Sequence, residues 1–359
     1  MKKLGLLSCF FIILLTSCLP STSLTPLLPV PTITPTTDEV PAGDWYTVYF
    51  TDPDSPSAST FRGGPDSFLA EAIRGARISV DAAIYHLNLW SIRDALIAAH
   101  ESGVRVRVVL ESDNQDEVEV QDLQDAGIEI LGDRRESLMH NKFVVIDGVE
   151  VWTGSMNFTI NGAYRNNNNL IRIRSSRLAE NYTSEFEEMF VRDMFGDRIV
   201  KNTPHPTLTI DGTQIETFFS PDDETAVRIV ELVEGAQDSI YFLAFSFTSD
   251  EIADAMLARA SNGVSVSGVF EESQYHSNAG TEFNRLLDAG MDVRLDGNPF
   301  NMHHKVIIVD QSIVIFGSYN FSRSAEERND ENTLIVHNTD LAAQFMAEFE
   351  RVYNKAPSQ

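Results

Sequence analysis

A duplicated segment constrains this chain more than any other feature of its sequence. Residues 139–159 read MHNKFVVIDGVEVWTGSMNFT, and residues 302–322 read MHHKVIIVDQSIVIFGSYNFS. Seven pairs of identical residues stand at a constant offset of 163 positions: His140 and His303, Lys142 and Lys305, Asp147 and Asp310, Gly154 and Gly317, Ser155 and Ser318, Asn157 and Asn320, Phe158 and Phe321. The same offset joins Arg165 to Arg328 and Asn169 to Asn332. A repeat with this register indicates two copies of one structural unit.

Alternating β-rich and helical segments precede each copy of the motif. A strand, a helix and a second strand are predicted first at 77–85, 90–102 and 104–110, and again at 240–247, 250–261 and 264–270. The nearly continuous apolar run 104–110 is typical of a strand buried on both faces of a parallel sheet. The sequence therefore predicts an α/β protein of two duplicated halves, 43–200 and 210–359, joined by a linker at 201–209.

The paired motifs resemble those of the phospholipase D superfamily over about residues 45–355. The resemblance implies two α/β/α sandwich halves related by a pseudo-two-fold axis, with one active site at their interface. It also implies cleavage of a phosphodiester bond. The motifs are specific for the superfamily but not for one substrate, so the substrate has to be argued separately.

The spacing within each motif determines which side chains act together. Side chains alternate between the two faces of a strand, so His140 and Lys142 face one way and Asn141 faces the other. The same holds for the second copy, in which we expect His304 to pack behind the strand. A strand could therefore present one imidazole and one ammonium group from each copy to a shared site.

Phosphodiester cleavage requires charge neutralisation, a nucleophile and an acid for the leaving alkoxide. Lys142 and Lys305 can neutralise the non-bridging oxygens. Two imidazoles can divide the other roles, because their unperturbed pKa of ~6.5 lies near neutral pH. Amide and hydroxyl donors to the same oxygens are expected from Asn157, Asn320, Ser155 and Ser318. No cofactor is expected and no metal site is suggested, because a charged lysine cannot be a metal ligand.

The roles of the two histidines follow from the resemblance and not from the spacing. Similarity to family members with two motifs in one chain implies that His140 is the nucleophile and His303 the acid. The family commonly carries a carboxylate downstream of each motif that orients a histidine. Here the second copy has Glu331 and the first has Asn168. If this support crosses the pseudo-two-fold axis, Glu331 serves His140 and makes it the more basic imidazole.

Other repeated residues have structural explanations. Asp147 and Gly148 stand between two β-rich runs and predict a tight hairpin turn, so Asp147 and Asp310 are expected to be supporting residues outside the phosphate site. Gly154 and Gly317 are expected to allow a close approach of two backbones. The aromatic run Tyr241, Phe242, Phe245 and Phe247 is expected to be core and not a lipid pocket.

The first 42 residues predict export and anchoring. Lys2 and Lys3 precede an apolar run at 4–15, which fits a signal sequence. The run ends in Leu-Thr-Ser-Cys at 15–18, which resembles the lipobox of bacterial lipoproteins. We expect 1–18 to be a signal peptide, Cys18 to be lipidated, and the Pro/Thr/Ser-rich 19–42 to be a tether. The expected location is the bacterial cell envelope, on the outer side of the cytoplasmic membrane or at the cell surface.

The charge balance bears on the substrate. The chain has 53 acidic and 27 basic residues, a formal net charge of -26, which repels polyanions. We therefore expect the substrate to be a phospholipid, whose head group is hydrolysed. The enzyme is expected to be a monomer. An exported nuclease with the same catalytic residues is the alternative, and a non-catalytic binding lipoprotein is a weaker third hypothesis, because both copies retain the His, Lys and Asn residues.

Overall fold

A computed structural model describes residues 45–357. The expected signal peptide, the lipidated Cys18 and the tether lie outside this range. No helix within it has both the length and the apolar character needed to cross a bilayer.

The first half of the described chain contains one mixed sheet and its flanking helices. Its strands are β1 Tyr46–Phe50, β2 Ser79–Ile84, β3 Arg105–Leu110, β4 Glu129–Gly132, β5 Lys142–Ile146, β6 Glu150–Gly154 and β7 Asn169–Arg174, and its helices are α1 Pro65–Arg74, α2 Trp90–Glu101, α3 Val118–Asp125, α4 Ile160–Tyr164 and α5 Ser176–Phe190. The strand order is β1-β7-β6-β5-β2-β3-β4. Strands β2, β3 and β4 are parallel to one another, and the rest of the sheet is antiparallel.

The second half repeats this arrangement. Its elements are β8 Thr207–Ile210, β9 Thr213–Ser220, α6 Thr225–Gly235, β10 Ser239–Ala244, α7 Asp250–Ser261, β11 Ser265–Phe270, α8 Glu272–Ser277, α9 Phe283–Asp288, β12 Asp292–Leu295, β13 Lys305–Val309, β14 Ile313–Gly317, α10 Arg323–Glu327, β15 Glu331–His337 and α11 Thr339–Tyr353. Its sheet has the order β12-β11-β10-β13-β14-β15-β9-β8. Apart from the additional edge strand β8, this is the order of the first sheet. The predicted duplicated α/β fold is confirmed.

The element predictions hold closely, with two boundaries to correct. The predicted strand 240–247 ends earlier, since β10 spans Ser239–Ala244. Helix α7 has the predicted bounds, and β2 falls inside the predicted 77–85. The predicted linker at 201–209 is too long, because its last residues begin β8. The following Asp211 and Gly212 both have positive φ, 48° and 77°, and form the tight turn into β9. This hairpin extends the second sheet to residue 207.

One hydrophobic core joins the two halves. It contains residues of both sheets together with the buried faces of α5 and α11. In α11 the buried residues Leu341, Phe345, Phe349 and Val352 recur at helical spacing, which is the pattern of a helix packed along one stripe. Each half also has its own outer core, beneath α1 and α2 in the first half and beneath α6 and α7 in the second. The shared core fixes the two sheets relative to each other.

Backbone hydrogen bonds cross between the halves at the start of each motif. The N–H of His140 donates to the carbonyl of Asp330 at 3.0 Å, and the N–H of His303 donates to the carbonyl of Asn167 at 2.9 Å. The second bond is the first one with the halves exchanged, since 140 and 167 become 303 and 330 when 163 is added. The two motifs therefore meet across a pseudo-two-fold axis.

Candidate active site

The strands β5 and β13 place one histidine and one lysine each at this interface. Each lysine begins its strand, and each histidine stands two residues earlier, so both side chains of a copy lie on one face. The histidines are 6% exposed and the lysines 1%. Lys142 Nζ donates to the carbonyl of His140 at 2.6 Å, and Lys305 Nζ donates to that of His303 at 3.0 Å. Each ammonium group is thus held beside the imidazole of its own copy.

A side chain from the opposite half orients each imidazole. Glu331 lies with Oε2 at 2.7 Å from His140 Nδ1. Asn168 Oδ1 lies 3.0 Å from His303 Nδ1, which is also 3.1 Å from the carbonyl of Ser155. The expected crossing of support between the halves is therefore observed. The two imidazoles differ in that one faces a carboxylate and the other faces two neutral oxygens.

Two glycines make these contacts sterically possible. Gly154 and Gly317 have φ of 148° and 158°. A Cβ atom would stand 2.4 Å from the carbonyl oxygen of Asn169 at Gly154, and 2.1 Å from that of Asn332 at Gly317. The predicted close backbone approach is confirmed. It draws the ends of β6 and β14 onto the chain segments that carry Asn168 and Glu331.

Burial and neighbouring charge set the protonation of His140 and Glu331. Burial lowers the pKa of His140 to about 4, and the charges of Lys142 and Lys305 act in the same direction, against Glu331. Burial acts to raise the pKa of Glu331, but His140, Lys142 and Ser318 hold it below its usual value. At neutral pH we therefore assign a carboxylate to Glu331 and a neutral imidazole to His140. The Nδ1–H donates to that carboxylate, so Nε2 keeps its lone pair for attack.

Burial also disfavours the positively charged forms of the two lysines and of His303. Burial lowers the pKa of Lys142 to about 7, with Glu331 opposing the change. Burial and the charge of Lys142 lower the pKa of Lys305 well below its usual value. Burial lowers the pKa of His303 most, and the positive charges of Lys305 and Lys142 lower it further. A bound phosphate anion raises these three pKa values again, because it supplies the opposite charge that the buried cations lack.

The serine hydroxyls, expected to donate to the substrate phosphate, are bonded within the protein. Ser155 and Ser318 are fully buried. The Ser155 hydroxyl donates to Asn168 Oδ1 at 2.9 Å, and the Ser318 hydroxyl bonds to Glu331. Each serine also accepts a backbone N–H from the residue immediately after its partner, which is Asn169 for Ser155 and Asn332 for Ser318. The serines therefore hold the groups that orient the histidines.

The asparagines of the motif remain available for a ligand. Asn157 and Asn320 are half-buried, two residues beyond the serines. Among the residues from 45 to 357, neither amide oxygen has a hydrogen-bond partner although both are buried. Buried polar groups are almost always bonded, so these two amide oxygens are available to accept a hydrogen bond from water or from a donor on the substrate.

Two aromatic residues at the site were not identified from the sequence. Tyr85 lies with its ring centroid 4.7 Å from that of His140 and 4.9 Å from Lys142 Nζ. Phe245 occupies the equivalent place, 4.4 Å from the His303 ring and 4.6 Å from Lys305 Nζ. The core prediction is therefore wrong for Phe245 and correct for Phe242 and Phe247, which are buried. The signal was present: both residues follow the last residue of an equivalent strand, β2 or β10.

The residues expected outside the site are found there. His304 is buried behind the strand, with Nδ1 at 3.0 Å from Asn169 Nδ2 and Nε2 at 2.8 Å from Glu348. Asp147 lies in the predicted turn and accepts the backbone N–H groups of Arg77, Ile78 and Ser79. Asp310 does the same for Gln237, Asp238 and Ser239. These aspartates connect each hairpin to the start of the neighbouring strand.

No cluster of three or more His, Cys, Asp or Glu residues suited to a metal ion occurs within residues 45–357. The catalytic positions instead combine two imidazoles, two ammonium groups and one carboxylate. This set can bind a phosphate, attack it and protonate a leaving group.

Comparison with known proteins agrees with this geometry. The family model described as "Cardiolipin synthase, PLD-like domain" matches residues 69–190 and 229–353, one match for each half. The mitochondrial cardiolipin hydrolase of Chlamydomonas reinhardtii is 29% identical over 169 residues, which cover 40% of this chain and 75% of that protein. A phospholipase D of Rickettsia bellii is 27% identical over 160 residues, covering 43% of this chain and 79% of that protein.

A solved structure shares the whole two-halved fold. The crystal structure of phosphatidylserine synthase from Haemophilus influenzae superposes with a TM-score of 0.66 at 13% identity, covering 87% of each chain. At that identity the likeness is one of fold. The two matches to the family model cover more than half of the sequence, and they contain both histidine–lysine motifs. This chain therefore belongs to the phospholipase D superfamily.

Proposed function

We propose that the protein hydrolyses phosphodiester bonds of phospholipids through a covalent phosphohistidine, without a metal ion. The contact between His140 Nδ1 and Glu331 is the observation that carries the proposal. It fixes a neutral imidazole whose Nε2 is free for attack and which experiences the charges of Lys142 and Lys305. No other imidazole among residues 45–357 combines this support with two nearby ammonium groups.

The reaction proceeds in two displacements. His140 Nε2 attacks phosphorus, the bond to the head-group oxygen breaks, and that oxygen takes a proton from His303 Nε2. Water then attacks the phosphohistidine and gives its proton to His303. The phosphorus–nitrogen bond breaks and phosphatidic acid is released. Lys142 and Lys305 stabilise the charge on the non-bridging oxygens in both steps, with the amides of Asn157 and Asn320.

The choice of a phospholipid rests on charge and on the family. Without residues 1–18, which hold two lysines and no acid, the chain has 25 bases and 53 acids, a net charge of -28. That field opposes a nucleic acid along its whole length, whereas a single diester in the pocket experiences mainly Lys142 and Lys305. The cardiolipin hydrolase and phospholipase D relatives support a lipid substrate. For the bulk membrane the net charge favours zwitterionic lipids.

The proposal includes a location. The Leu-Thr-Ser-Cys sequence at 15–18 supports lipidation of Cys18, which would hold the enzyme at the bacterial cell envelope on a Pro-rich tether. Such an anchor raises the local concentration of phospholipid around the site. Mass spectrometry of the mature N-terminus tests this part. A mature chain that starts elsewhere, or an unmodified Cys18, contradicts it.

The enzyme activity is tested with purified protein and a substrate panel. Phosphatidylcholine, phosphatidylethanolamine, single-stranded DNA and double-stranded DNA are compared at several salt concentrations, with and without excess EDTA. We expect release of a free head group and phosphatidic acid in the presence of the chelator. Fast DNA cleavage without lipid hydrolysis identifies a nuclease instead. Loss of turnover in EDTA with recovery on adding a divalent ion refutes the metal-free mechanism.

A further inference from the structure

The two halves differ beside the site at one loop. In the first half Arg135, in the loop before His140, forms an ion pair with Asp330. The equivalent positions of the second half are Asn298 and Asn167, which meet as neutral amides at 2.7 Å. Beside Asn298 and Asn167 there is a cavity of about 120 Å³, which is also lined by Arg165 and Phe300. The space exceeds what one water molecule needs.

Arg165 is the basic side chain of this cavity that has no ion-pair partner. Its guanidinium lies over the rings of Phe61 and Phe300, at 5.0 and 5.1 Å from the ring centroids. Within residues 45–357 its guanidinium makes one hydrogen bond, from Nη1 to the amide oxygen of Asn161 at 3.0 Å, and no carboxylate lies within ion-pair distance. The rings hold the group in place while leaving most of its donors unused.

The acidic residues of the cavity are already engaged. Asp296 accepts the N–H groups of Glu272 and Asn298, at 2.9 and 3.0 Å. Asp54 forms an ion pair with Lys355. Arg165 is therefore the unpaired positive charge of this cavity, in a chain whose acidic residues outnumber its basic residues about two to one. An arginine left unpaired in such a chain is suited to an anion that comes from outside.

The cavity lies on the His303 side of the catalytic interface. Asn167, in its wall, accepts the backbone N–H of His303, and the next residue, Asn168, orients that imidazole. The cavity is also at the sheet edge of the site, since Pro53 and Asp54 in its wall follow the end of β1, which pairs with the beginning of β7. In the proposed reaction His303 protonates the leaving group, so the cavity lies on the leaving-group side of the site.

We propose that Arg165, held between Phe61 and Phe300, forms a subsite for a second anionic group on the head group of the substrate, a phosphate or a carboxylate. This inference rests on the proposed function and specifies its substrate further. Arg165 binds that group by hydrogen bonds from the guanidinium, which match the geometry of both anions. The preferred lipids are then those whose leaving group carries its own negative charge, presented in a zwitterionic surface.

The test compares substrates with and without the second anion. Each is diluted in phosphatidylcholine vesicles at a low mole fraction, halved for the doubly charged diphosphatidylglycerol so that the surface charge stays constant. Diphosphatidylglycerol supplies a second phosphate, phosphatidylserine a carboxylate, and phosphatidylglycerol neither. For Arg165→Gln we expect kcat/KM to fall about tenfold or more on the substrates that the subsite accepts, and to stay within about twofold on phosphatidylglycerol. Arg165→Lys should recover part of the loss. A loss on diphosphatidylglycerol identifies the bound anion as a phosphate, and a loss on phosphatidylserine identifies it as a carboxylate.

The matched control is Arg328→Gln, because Arg328 is the exposed counterpart of Arg165 in the other half. It should leave every substrate unchanged. Hydrolysis of bis(4-nitrophenyl) phosphate reports the catalytic centre alone and should be equal in all variants. An equal loss on all substrates, or no loss on any, refutes the subsite while leaving the proposed function intact. Failure of the unmodified protein to cleave any lipid refutes the proposed function and the subsite with it.

Discussion

The two halves of the molecule have the same fold but support their histidines in different ways. In one pairing a carboxylate, Glu331, faces His140, and in the other an amide, Asn168, faces His303. Behind the strands, Asn141 of the first half corresponds to His304 of the second. The repeat has thus preserved the positions of the reacting groups and changed their neighbours. The proposed division of roles between the two histidines rests on this difference.

The difference in support implies a difference in proton affinity. A carboxylate stabilises positive charge on an imidazole and therefore makes its Nε2 the better nucleophile and the better holder of a transferred phosphoryl group. An amide oxygen fixes the orientation of the ring without adding charge. The imidazole beside Asn168 gives up its proton more readily, as a general acid must. This physical argument agrees with the roles that the family resemblance implies.

The largest expected effect comes from removing either histidine. His140→Ala and His303→Ala should each reduce lipid hydrolysis by about 10⁴-fold or more, because one lacks the nucleophile and the other the proton donor. The two variants should behave differently on a substrate with a good leaving group, because its departure needs no acid. With labelled substrate and rapid quenching, His303→Ala should still form an acid-labile adduct on His140. An adduct on His303 in the unmodified enzyme reverses the roles.

The next effect tests the support residues. Glu331→Gln should lower kcat by about 100-fold, because the replacement amide no longer stabilises charge on His140. Asn168→Asp should cost less than tenfold and should move the basic limb of kcat to higher pH, since a new carboxylate raises the pKa of His303 and keeps it protonated. pH–rate profiles of both variants measure this. Equal losses in the two variants would show that the halves do not divide the roles.

Much of this arrangement could be predicted because it depends on local rules. The pairing of His140 with Lys142 on one face follows from the period of a strand, and the turn at Asp147 follows from the residues that tolerate positive φ. The close approach at Gly154 follows from the absence of a side chain. The repeat then supplied the second copy of each feature. These inferences require only a few neighbouring residues and no knowledge of the tertiary contacts.

Other features depend on contacts that a sequence does not display. The hydroxyl of Ser155 could point to substrate or to the fold, and only the position of Asn168 decides between them. Tyr85 and Phe245 are typical core residues by composition, yet the ends of β2 and β10 place them against the histidines. The asymmetry at Arg135 and Asn298 acquires a meaning only when each is seen beside its partner from the other half.

A smaller effect concerns the stability of the protein without substrate. The pKa of Lys142 is lowered to about 7 in the folded protein, from 10.5 for an unburied lysine. Between these values the unfolded chain binds more protons, so the free energy of unfolding rises as pH rises through this window. Lys142→Met should stabilise the ligand-free protein at pH 7 by ~2 kcal/mol and flatten that rise.

Urea unfolding between pH 6 and pH 9 measures the effect of Lys142→Met. Lys201→Met is the comparison, because Lys201 is 60% exposed and paired with Asp223 at 3.6 Å, so its replacement should not flatten the rise above pH 7. Lys305→Met extends the comparison to the second half, where burial and Lys142 also lower the pKa of the lysine. A Lys142→Met protein that is less stable at pH 7 would show that the ammonium group contributes favourably to the fold.

The smallest effect on activity is expected at the two aspartates of the motif, where the halves are alike. Asp147 and Asp310 each accept three consecutive backbone N–H groups at the beginning of a strand, away from the imidazoles. Replacement by asparagine keeps the shape but leaves one oxygen to serve those donors. Asp147→Asn and Asp310→Asn should each lower the free energy of unfolding by ~1 to 2 kcal/mol, similarly in both halves.

The pH dependence of this contribution has a definite sign. Burial opposes the ionised form of Asp310, but the N–H groups of Gln237, Asp238 and Ser239 hold its pKa below the usual value. The stabilisation is therefore present near neutral pH and is lost as pH falls through that lowered pKa, and Asp310→Asn should remove this part of the acid dependence. Well below the denaturation midpoint, kcat of both variants should stay within about twofold of the unmodified protein. A much larger loss of kcat in a fully folded variant would mean that the aspartate acts on the reaction, and that the motif's third residue belongs to the chemistry and not to the hairpin.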